Sequence, residues 1–267
     1  MRSTALNEAV PGREIEYLSP AAEVSMSDYW FDITGINNFW IRRRFAVLHR
    51  LTWKFIAEVQ HIAEVGCGHG LLQRQIEDAY QKPVVGFDLN EYALKRNVSR
   101  HSKLYCYDIS DRHPGMAKRF DLVFLFDVLE HVREEDDFLA AVKFHLTDGG
   151  MLLVNVPAGQ WAYSTYDQAV GHVRRYSANT LRRVAERNDL IFDRWSYWGL
   201  PLIPTLLARK LWLAGRKDQK EIVSRGIDAG SGIANSMLGL LSACEVIPQR
   251  LVGTSLMAVV RKKYRGS

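Results

Sequence analysis

The tightest constraint on this chain is the run Glu64-Val65-Gly66-Cys67-Gly68-His69-Gly70-Leu71-Leu72. It follows the apolar stretch His61-Ile62-Ala63 and leads into Leu71-Leu72-Gln73-Arg74-Gln75-Ile76, so it joins a strand over 61–65 to a helix over 71–80. A strand, a glycine turn and a helix N-terminus present backbone N–H groups and a positive dipole end to a ligand. Glycines accept positive φ and let a ligand lie where a Cβ would block it. The spacing is G-x-G-x-G, not the G-x-G-x-x-G of a pyrophosphate-binding loop, because Leu71 stands where that pattern places its third glycine. That argues against a nicotinamide-dinucleotide oxidoreductase, the main rival for such a loop. An ordinary strand-to-helix turn is the plain alternative.

Acidic residues downstream complete the pattern. Val84-Val85-Gly86-Phe87-Asp88 reads as a strand ending in a carboxylate. An acid about 20 positions beyond a glycine loop is placed to accept hydrogen bonds from ribose hydroxyls. Leu104 to Asp108 reads as a third strand, followed by Ile109. A fourth, Phe120 to Leu125, runs into Phe126-Asp127-Val128-Leu129-Glu130-His131-Val132. Further on, Asp148-Gly149-Gly150 turns the chain into a fifth strand over 151–156, which Pro157 ends. Helical patterns over 71–80, 91–98 and 135–145 alternate with these strands, which implies a parallel sheet covered on both faces.

These motifs, in this order, resemble those of the class I S-adenosylmethionine-dependent methyltransferases. The match rests on Glu64 to Gly70, Asp88, Cys106-Tyr107-Asp108-Ile109, Asp127 to Val132, and Leu146-Thr147-Asp148-Gly149-Gly150-Met151-Leu152. It covers roughly residues 36 to 200 and the final strand. The resemblance implies a Rossmann-like α/β fold with a seven-stranded, mostly parallel sheet and an antiparallel last strand, here Ser255 to Arg261. It also implies S-adenosyl-L-methionine as cofactor. On that reading Asp88 holds the ribose, Leu89 and Ile109 sandwich the adenine, and Asp108 accepts from its amino group. Gly66, Cys67, Gly68 and Gly70 admit the amino-acid part, Glu64 shapes the loop, and Phe126 or Asp127 lies nearest the methionine end. Relatives with an aromatic-aromatic-x-x-x-Arg stretch close it over the cofactor. Phe39-Trp40-Ile41-Arg42-Arg43-Arg44 matches, which makes Trp40 and Arg44 candidates, although Trp40 serves a core equally well.

Length and charge bound the rest. A chain of 267 residues holds one α/β domain with a large core. Residues 1–25 are expected to be loosely ordered, 26–267 to form the methyltransferase domain with N-terminal helices, and about 199–247 to form a helical insertion before the last strand. No apolar stretch marks the N-terminus and three cysteines make no disulfide framework, so a cytoplasmic protein is expected. The net charge of +5 comes with basic clusters that read mostly as solvated faces. Their functional reading is attraction to an anionic substrate or membrane surface. Nucleic acid is disfavoured, since no recognised binding module is present. The segment 199–217 is too short in its uncharged run to span a bilayer. From about Thr205, Leu206, Leu207, Leu211 and Leu213 make an apolar stripe flanked by Arg209, Lys210, Arg216 and Lys217. A lid, a homodimer interface and an interfacial membrane contact all fit it.

For the chemistry, His131 directly follows the fourth strand and titrates in the useful range for a base; a packing histidine is the plain alternative. A second constellation is Ala158 to Tyr176. It resembles the Asp…Gly-His-x-Arg-Arg-Tyr segment of a bacterial methyltransferase group. His172 is a second candidate base there, with Arg174, Arg175 and Tyr176 as candidates to hold an anionic acceptor; a loop pinned to the sheet is the alternative. The expectation is methyl transfer to a small or lipid-like acceptor, most readily at oxygen, with no metal. Asp127, Glu130 and His131 also resemble the metal-binding cluster of some RNA and quinone-precursor methyltransferases, with His172 as a further ligand. A metal-assisted enzyme and a non-catalytic cofactor-binding subunit are the alternatives.

Overall fold

The computed structural model describes residues 12–24, 28–216, 218, 221–223 and 232–263. Among them, eight strands form one sheet: β1 (Ile15–Tyr17), β2 (Ile62–Val65), β3 (Val85–Asp88), β4 (Leu104–Cys106), β5 (Phe120–Phe126), β6 (Leu146–Pro157), β7 (Leu190–Trp198) and β8 (Ser255–Lys262). Their order is β1-β4-β3-β2-β5-β6-β8-β7. The pairings through β6 are parallel, whereas β8 runs antiparallel to both β6 and β7. The helices are α1 (Asp28–Ile33), α2 (Phe39–Glu58), α3 (Leu71–Tyr80), α4 (Glu91–Lys95), α5 (Glu135–His145), α6 (Thr165–Ala169), α7 (Ala178–Arg187), α8 (Ile203–Leu213) and α9 (Gly232–Ala243).

The sheet separates two apolar layers through the two-residue period of its strands. On β5, Leu122, Phe124 and Phe126 pack with Val47, Leu48 and Leu51 of α2 and Leu72 and Ile76 of α3. Val123 and Leu125 face the other way, onto Leu139 and Val142 of α5 and Leu181 and Val184 of α7. Helices cover both faces, as the alternating patterns predict.

The structure departs from the expectations at several points. The sheet has eight strands, not seven. The extra one comes from the segment expected to be loosely ordered: Ile15, Glu16 and Tyr17 pair with Leu104, Tyr105 and Cys106. A three-residue strand is too short to show a period, yet it covers the open edge of β4 and packs Ile15 on Leu94, Leu104 and Cys106. Residues 1–11 and 25 of that segment lie outside the described residues. Finally, α8 begins at Ile203 rather than near Thr205, because Pro204 occupies the first turn, where no amide hydrogen is needed. Helix α4 and strand β4 also end earlier than their patterns suggest, at Lys95 and Cys106.

Topology places the insertion. Trp198 at the end of β7 pairs with Ser255 at the start of β8, and Ser255 pairs with Pro157 at the end of β6. The chain therefore leaves and re-enters the sheet at the carboxyl ends of the parallel strands. Glu245, just past α9, accepts hydrogen bonds from the Gly199 and Leu200 amides at 2.8 and 3.0 Å and an ion pair from Arg43 of α2 at 3.2 Å. Lys217 lies outside the described residues. Among those described, no helix is long and apolar enough to cross a membrane.

Candidate active site

In an open α/β sheet, ligands bind beyond the carboxyl ends of the strands where the strand order reverses. Here β2 lies between β3 and β5, and a cavity of about 880 Å³ opens there. The glycine loop, Asp88, Phe126 and Asp127 form its floor; Trp30, Phe31, Phe39, Trp40 and Arg44 form one wall, and Leu202, Leu206, Trp212 and Leu238 of the insertion close the other.

The loop's conformation explains its glycines. Gly66 sits at φ 72°, and a Cβ there would overlap the Val128 side chain. Gly70, at φ 81°, is the N-cap of α3, and a Cβ there would strike Asn97. Asp88 buttresses the loop: its Oδ2 accepts from the Gly68 amide at 2.7 Å and its Oδ1 from the Asn90 amide at 2.8 Å. A carboxylate has about four acceptor sites, so this leaves capacity toward the cavity. His69 joins the loop to the wall above it, its Nε2 donating to the Thr34 carbonyl at 2.9 Å. Its ring meets Trp30 and Phe31 edge to face.

Glu64 is buried on β2, and burial raises its carboxyl from 4.5 to about 8 despite the nearby Arg44. Its Oε2 has no hydrogen-bond partner. Beside it, Arg44 pairs with Asp127 at 2.5 Å while its guanidinium lies 5.0 Å from the Trp40 ring centre and 5.2 Å from that of Phe126. Asp127 has the left-handed φ of 56°, which aspartate tolerates better than most residues. Its Oδ1 accepts from Asn155 at 2.8 Å, and Asn155 Oδ1 in turn accepts from Trp198 at 2.9 Å.

The other half of the cavity centres on His172. The chain from 158 to 176 leaves β6 and returns to it, with Gly159 donating to the Tyr176 carbonyl and Tyr176 to the Pro157 carbonyl. Within this loop Ser164 and Asp167 form a capping box that starts α6. Asp167 Oδ1 accepts from His172 Nδ1 at 2.8 Å and from Arg175 Nε at 2.7 Å, and Oδ2 accepts from Arg175 Nη2 at 3.1 Å. Burial pushes the Asp167 carboxyl up, but the hydrogen bond from His172 and the Arg175 charge outweigh it and bring it to about 2. His131 meets the His172 ring edge to face with centres 4.8 Å apart. Burial, then the His172 charge, lowers His131 to about 4. Glu130 is buried, which holds its carboxyl well above the ordinary range, and the nearby Asp127 adds to this.

The structure brings together Trp40, Arg44, Glu64, Gly66, Cys67, Gly68, Asp88, Phe126, Asp127, His131, His172 and Arg175 on one cavity. It does not place the rest of the expected set there. Asp108 turns back on its own chain, its Oδ1 accepting from the Ser110 amide, because β4 ends at Cys106 and a short turn begins. Ile109 is buried in the core, and Leu89 and Gly70 lie outside the lining. Arg174 and Tyr176 also lie outside the lining: Arg174 pairs with Glu135 at 2.9 Å and donates to the Arg133 carbonyl, while the buried Tyr176 hydroxyl donates to Glu135 and to the Leu129 carbonyl. They pin the loop to α5. Arg175 lines the cavity, but its donors go to Asp167 and the Ala158 carbonyl. The sequence motifs gave no role to Asp167, the aspartate of the Asp…Gly-His-x-Arg-Arg-Tyr segment, nor to Tyr166 and Arg209, which line the cavity. The Ser164-x-x-Asp167 spacing was a legible signal for the first.

The residues fit S-adenosyl-L-methionine. Asp88 would take the ribose, the glycine turn would admit the amino-acid part, and the unpartnered Glu64 oxygen offers an acceptor beside it. A family model described as methyltransferase domain matches residues 26–191. A Mycolicibacterium smegmatis protein named "probable S-adenosylmethionine-dependent methyltransferase" is 29% identical over 126 residues, 45% of this chain and 46% of that protein. The tRNA U34 carboxymethyltransferase of Colwellia psychrerythraea is 30% identical over 100 residues, 36% of this chain and 31% of that one. The chain thus spans about half or less of the curated relatives it matches. Among solved structures, Haemonchus contortus phosphoethanolamine N-methyltransferase 2 with S-adenosyl-L-methionine aligns with a TM-score of 0.56 at 18% identity, over 91% of this chain and 60% of that one. At that identity the likeness shows the fold. By its match across the strand-loop-helix core, the chain belongs to the methyltransferase-domain family.

Proposed function

We propose that this enzyme methylates an oxygen of a small or lipid-like acceptor, with His172 as the base and Asp167 as the residue that positions it. One observation carries the reading: His172 lines the cofactor cavity while its Nδ1 is held 2.8 Å from a buried carboxylate. That contact fixes the tautomer, so Nδ1 carries the hydrogen and Nε2 is the basic nitrogen. S-adenosyl-L-methionine, when bound, supplies a methyl group on a sulfonium and leaves as the neutral thioether. The acceptor hydroxyl passes its proton to His172 Nε2 as its oxygen takes the methyl carbon. Arg175 keeps Asp167 ionised, which stabilises the imidazolium that forms. Leu202, Leu206 and Trp212 line the acceptor half with apolar surface, which limits water there.

A metal-assisted reading has its own support. Glu130, His131 and His172 each offer a ligand atom, and these atoms lie within 4.8 Å of one another. The deciding experiment incubates the protein and labelled S-adenosyl-L-methionine with a cell extract. A labelled product of low molecular mass, or one that partitions into organic solvent, is expected, and His172→Ala abolishes it. Label appearing in RNA alone overturns the acceptor class. Loss of activity in chelator with recovery in Mg²⁺ or Mn²⁺ replaces the base reading with the metal reading.

A further inference from the structure

We propose that the Thr34 hydroxyl and Arg44 Nε together bind the α-carboxylate of the cofactor, and that this pair makes the site select ligands carrying that carboxylate. Motif spacing singles out Arg44 but gives Thr34 no role. Both residues line the cavity. Thr34 is 5% exposed and Arg44 7%, and neither the Thr34 hydroxyl nor Arg44 Nε has a hydrogen-bond partner. The backbone of Thr34 is committed: its amide donates to the Trp30 carbonyl at 3.1 Å and its carbonyl accepts from His69 Nε2 at 2.9 Å. A threonine closing a helical turn commonly returns its hydroxyl to the carbonyl four residues earlier. Thr34 does not, although Trp30 stands at that position. On Arg44, Nη1 is committed to Asp127 while Nε stays unused. A buried donor without a partner has given up water and gained nothing in return, so such atoms mark where a ligand belongs.

Helix α1 carries Thr34 away from the ribose. At its start Asp28 accepts from the Asn90 side chain, whose own amide donates to Asp88. Thr34 follows the last residue of that helix, so it lies about 9 Å further along at 1.5 Å per residue. There it rests on the glycine loop through His69. Phe31 of the same helix covers Gly68, where a Cβ would come within 2.9 Å of its ring. Burial lowers the His69 imidazole to about 4, and the charge of Arg44 adds to this, as expected of a guanidinium near the same ring. Glu64 feels the Arg44 charge too, and its Oε2 is an acceptor without a partner. The unused atoms are therefore two donors, one of them on a cation, and one acceptor. The amino-acid end of the cofactor carries a carboxylate and an ammonium. The donors match the first and Glu64 the second, with charge-assisted hydrogen bonds in both cases.

Two ligands that differ only in the carboxylate test this: S-adenosylhomocysteine and its decarboxylated form, which keeps the amine, the thioether and the adenosine. Each is titrated calorimetrically into the unaltered protein and its variants, with no acceptor present. S-adenosylhomocysteine is expected to bind roughly 10- to 100-fold tighter than the decarboxylated ligand, the size of hydrogen bonds to a charged group. Thr34→Val keeps the shape and removes the hydroxyl. It should weaken S-adenosylhomocysteine by about tenfold and leave the decarboxylated ligand unchanged. Thr34→Ser should restore most of the loss, and Thr34→Ala should repeat the Thr34→Val result. Arg44→Lys, which keeps a charge but has no Nε, should narrow the preference as well. Equal affinities for the two ligands on the unaltered protein overturn the proposal, and that comparison needs no variant to fold. A preference that survives Thr34→Val or Arg44→Lys in full also overturns it. So does an equal loss for both ligands in Thr34→Val, which would make Thr34 a packing residue. Failure of the proposed methyl transfer reads out separately, as absence of labelled product while the carboxylate preference stands.

Discussion

Asp167 accepts the Nδ1 hydrogen of His172 at 2.8 Å while the same carboxylate holds Arg175 through both of its oxygens. The histidine is thus oriented by a group that is itself locked, and both lie on one loop whose ends meet at β6. The arrangement separates positioning from chemistry. Removing Asp167 should misplace the ring without touching the cofactor half.

His172→Ala is expected to lower kcat by roughly 10²- to 10⁴-fold, with S-adenosylhomocysteine affinity nearly unchanged. Asp167→Asn should cost less and should alter the pH profile of kcat, because it changes the tautomer held at His172. Steady-state rates over pH with the identified acceptor check both. Full activity in the His172 variant would return this histidine to a packing role.

Asp88→Ala is expected to weaken cofactor binding by roughly 10- to 100-fold. It removes the ribose acceptor and frees the Gly68 amide that Asp88 now holds at 2.7 Å. Calorimetry with S-adenosylhomocysteine measures this. Unchanged affinity would sink the ribose assignment.

Glu64 makes ligand-free stability depend on pH. Burial raises its carboxyl from 4.5 to about 8 in the folded protein. A raised folded value means the contribution is fully present below about 4.5 and is lost as pH rises through 8, since the folded state then holds more protons than the unfolded one. Thermal melts of the ligand-free protein should fall between pH 5 and 9, and Glu64→Gln should flatten that fall. A variant with the same slope as the unaltered protein would refute this. A cationic cofactor favours the ionised acid, so binding should strengthen over the same window.

Glu245→Ala should destabilise the insertion and the helix beneath it. It strips the Gly199 and Leu200 amides of their acceptor and leaves Arg43, whose side chain is 12% exposed, without its carboxylate. Breaking a largely buried pair costs roughly 3 kcal/mol. A drop in Tm of several degrees is expected.

Leu207 and Leu211 are 41% and 78% exposed on the outer side of α8. If the acceptor is drawn from a membrane, these residues meet it first, and Leu207→Glu with Leu211→Glu should abolish association with anionic vesicles. Leu206 is unsuitable for this test because it lines the cavity. A protein that ignores such vesicles at low salt and dimerises through this face would overturn the membrane contact.

How much was readable depended on the range of the interaction. The strand-loop-helix around Gly66, Gly68 and Gly70, the alternation of strands and helices, and Asp88 at a strand end follow from local rules. Those rules are a two-residue period, a helical period and the backbone conformations only glycine adopts freely. Helices α3 and α5 accordingly occupy the residues their patterns indicate. By contrast, β1 exists because β4 offers an open edge, and no period shows in three residues. Tyr176 and Arg174 looked like substrate ligands beside His172, yet Glu135 claims both from a helix about forty positions upstream. Arg209 looked like a surface cation until the antiparallel β7–β8 return carried its helix over the cavity. Local chemistry determines which elements form and where a cofactor can approach a backbone. Only the tertiary structure decides which side chains face the acceptor, because that depends on helix rotation and on long-range strand pairing that no short window contains.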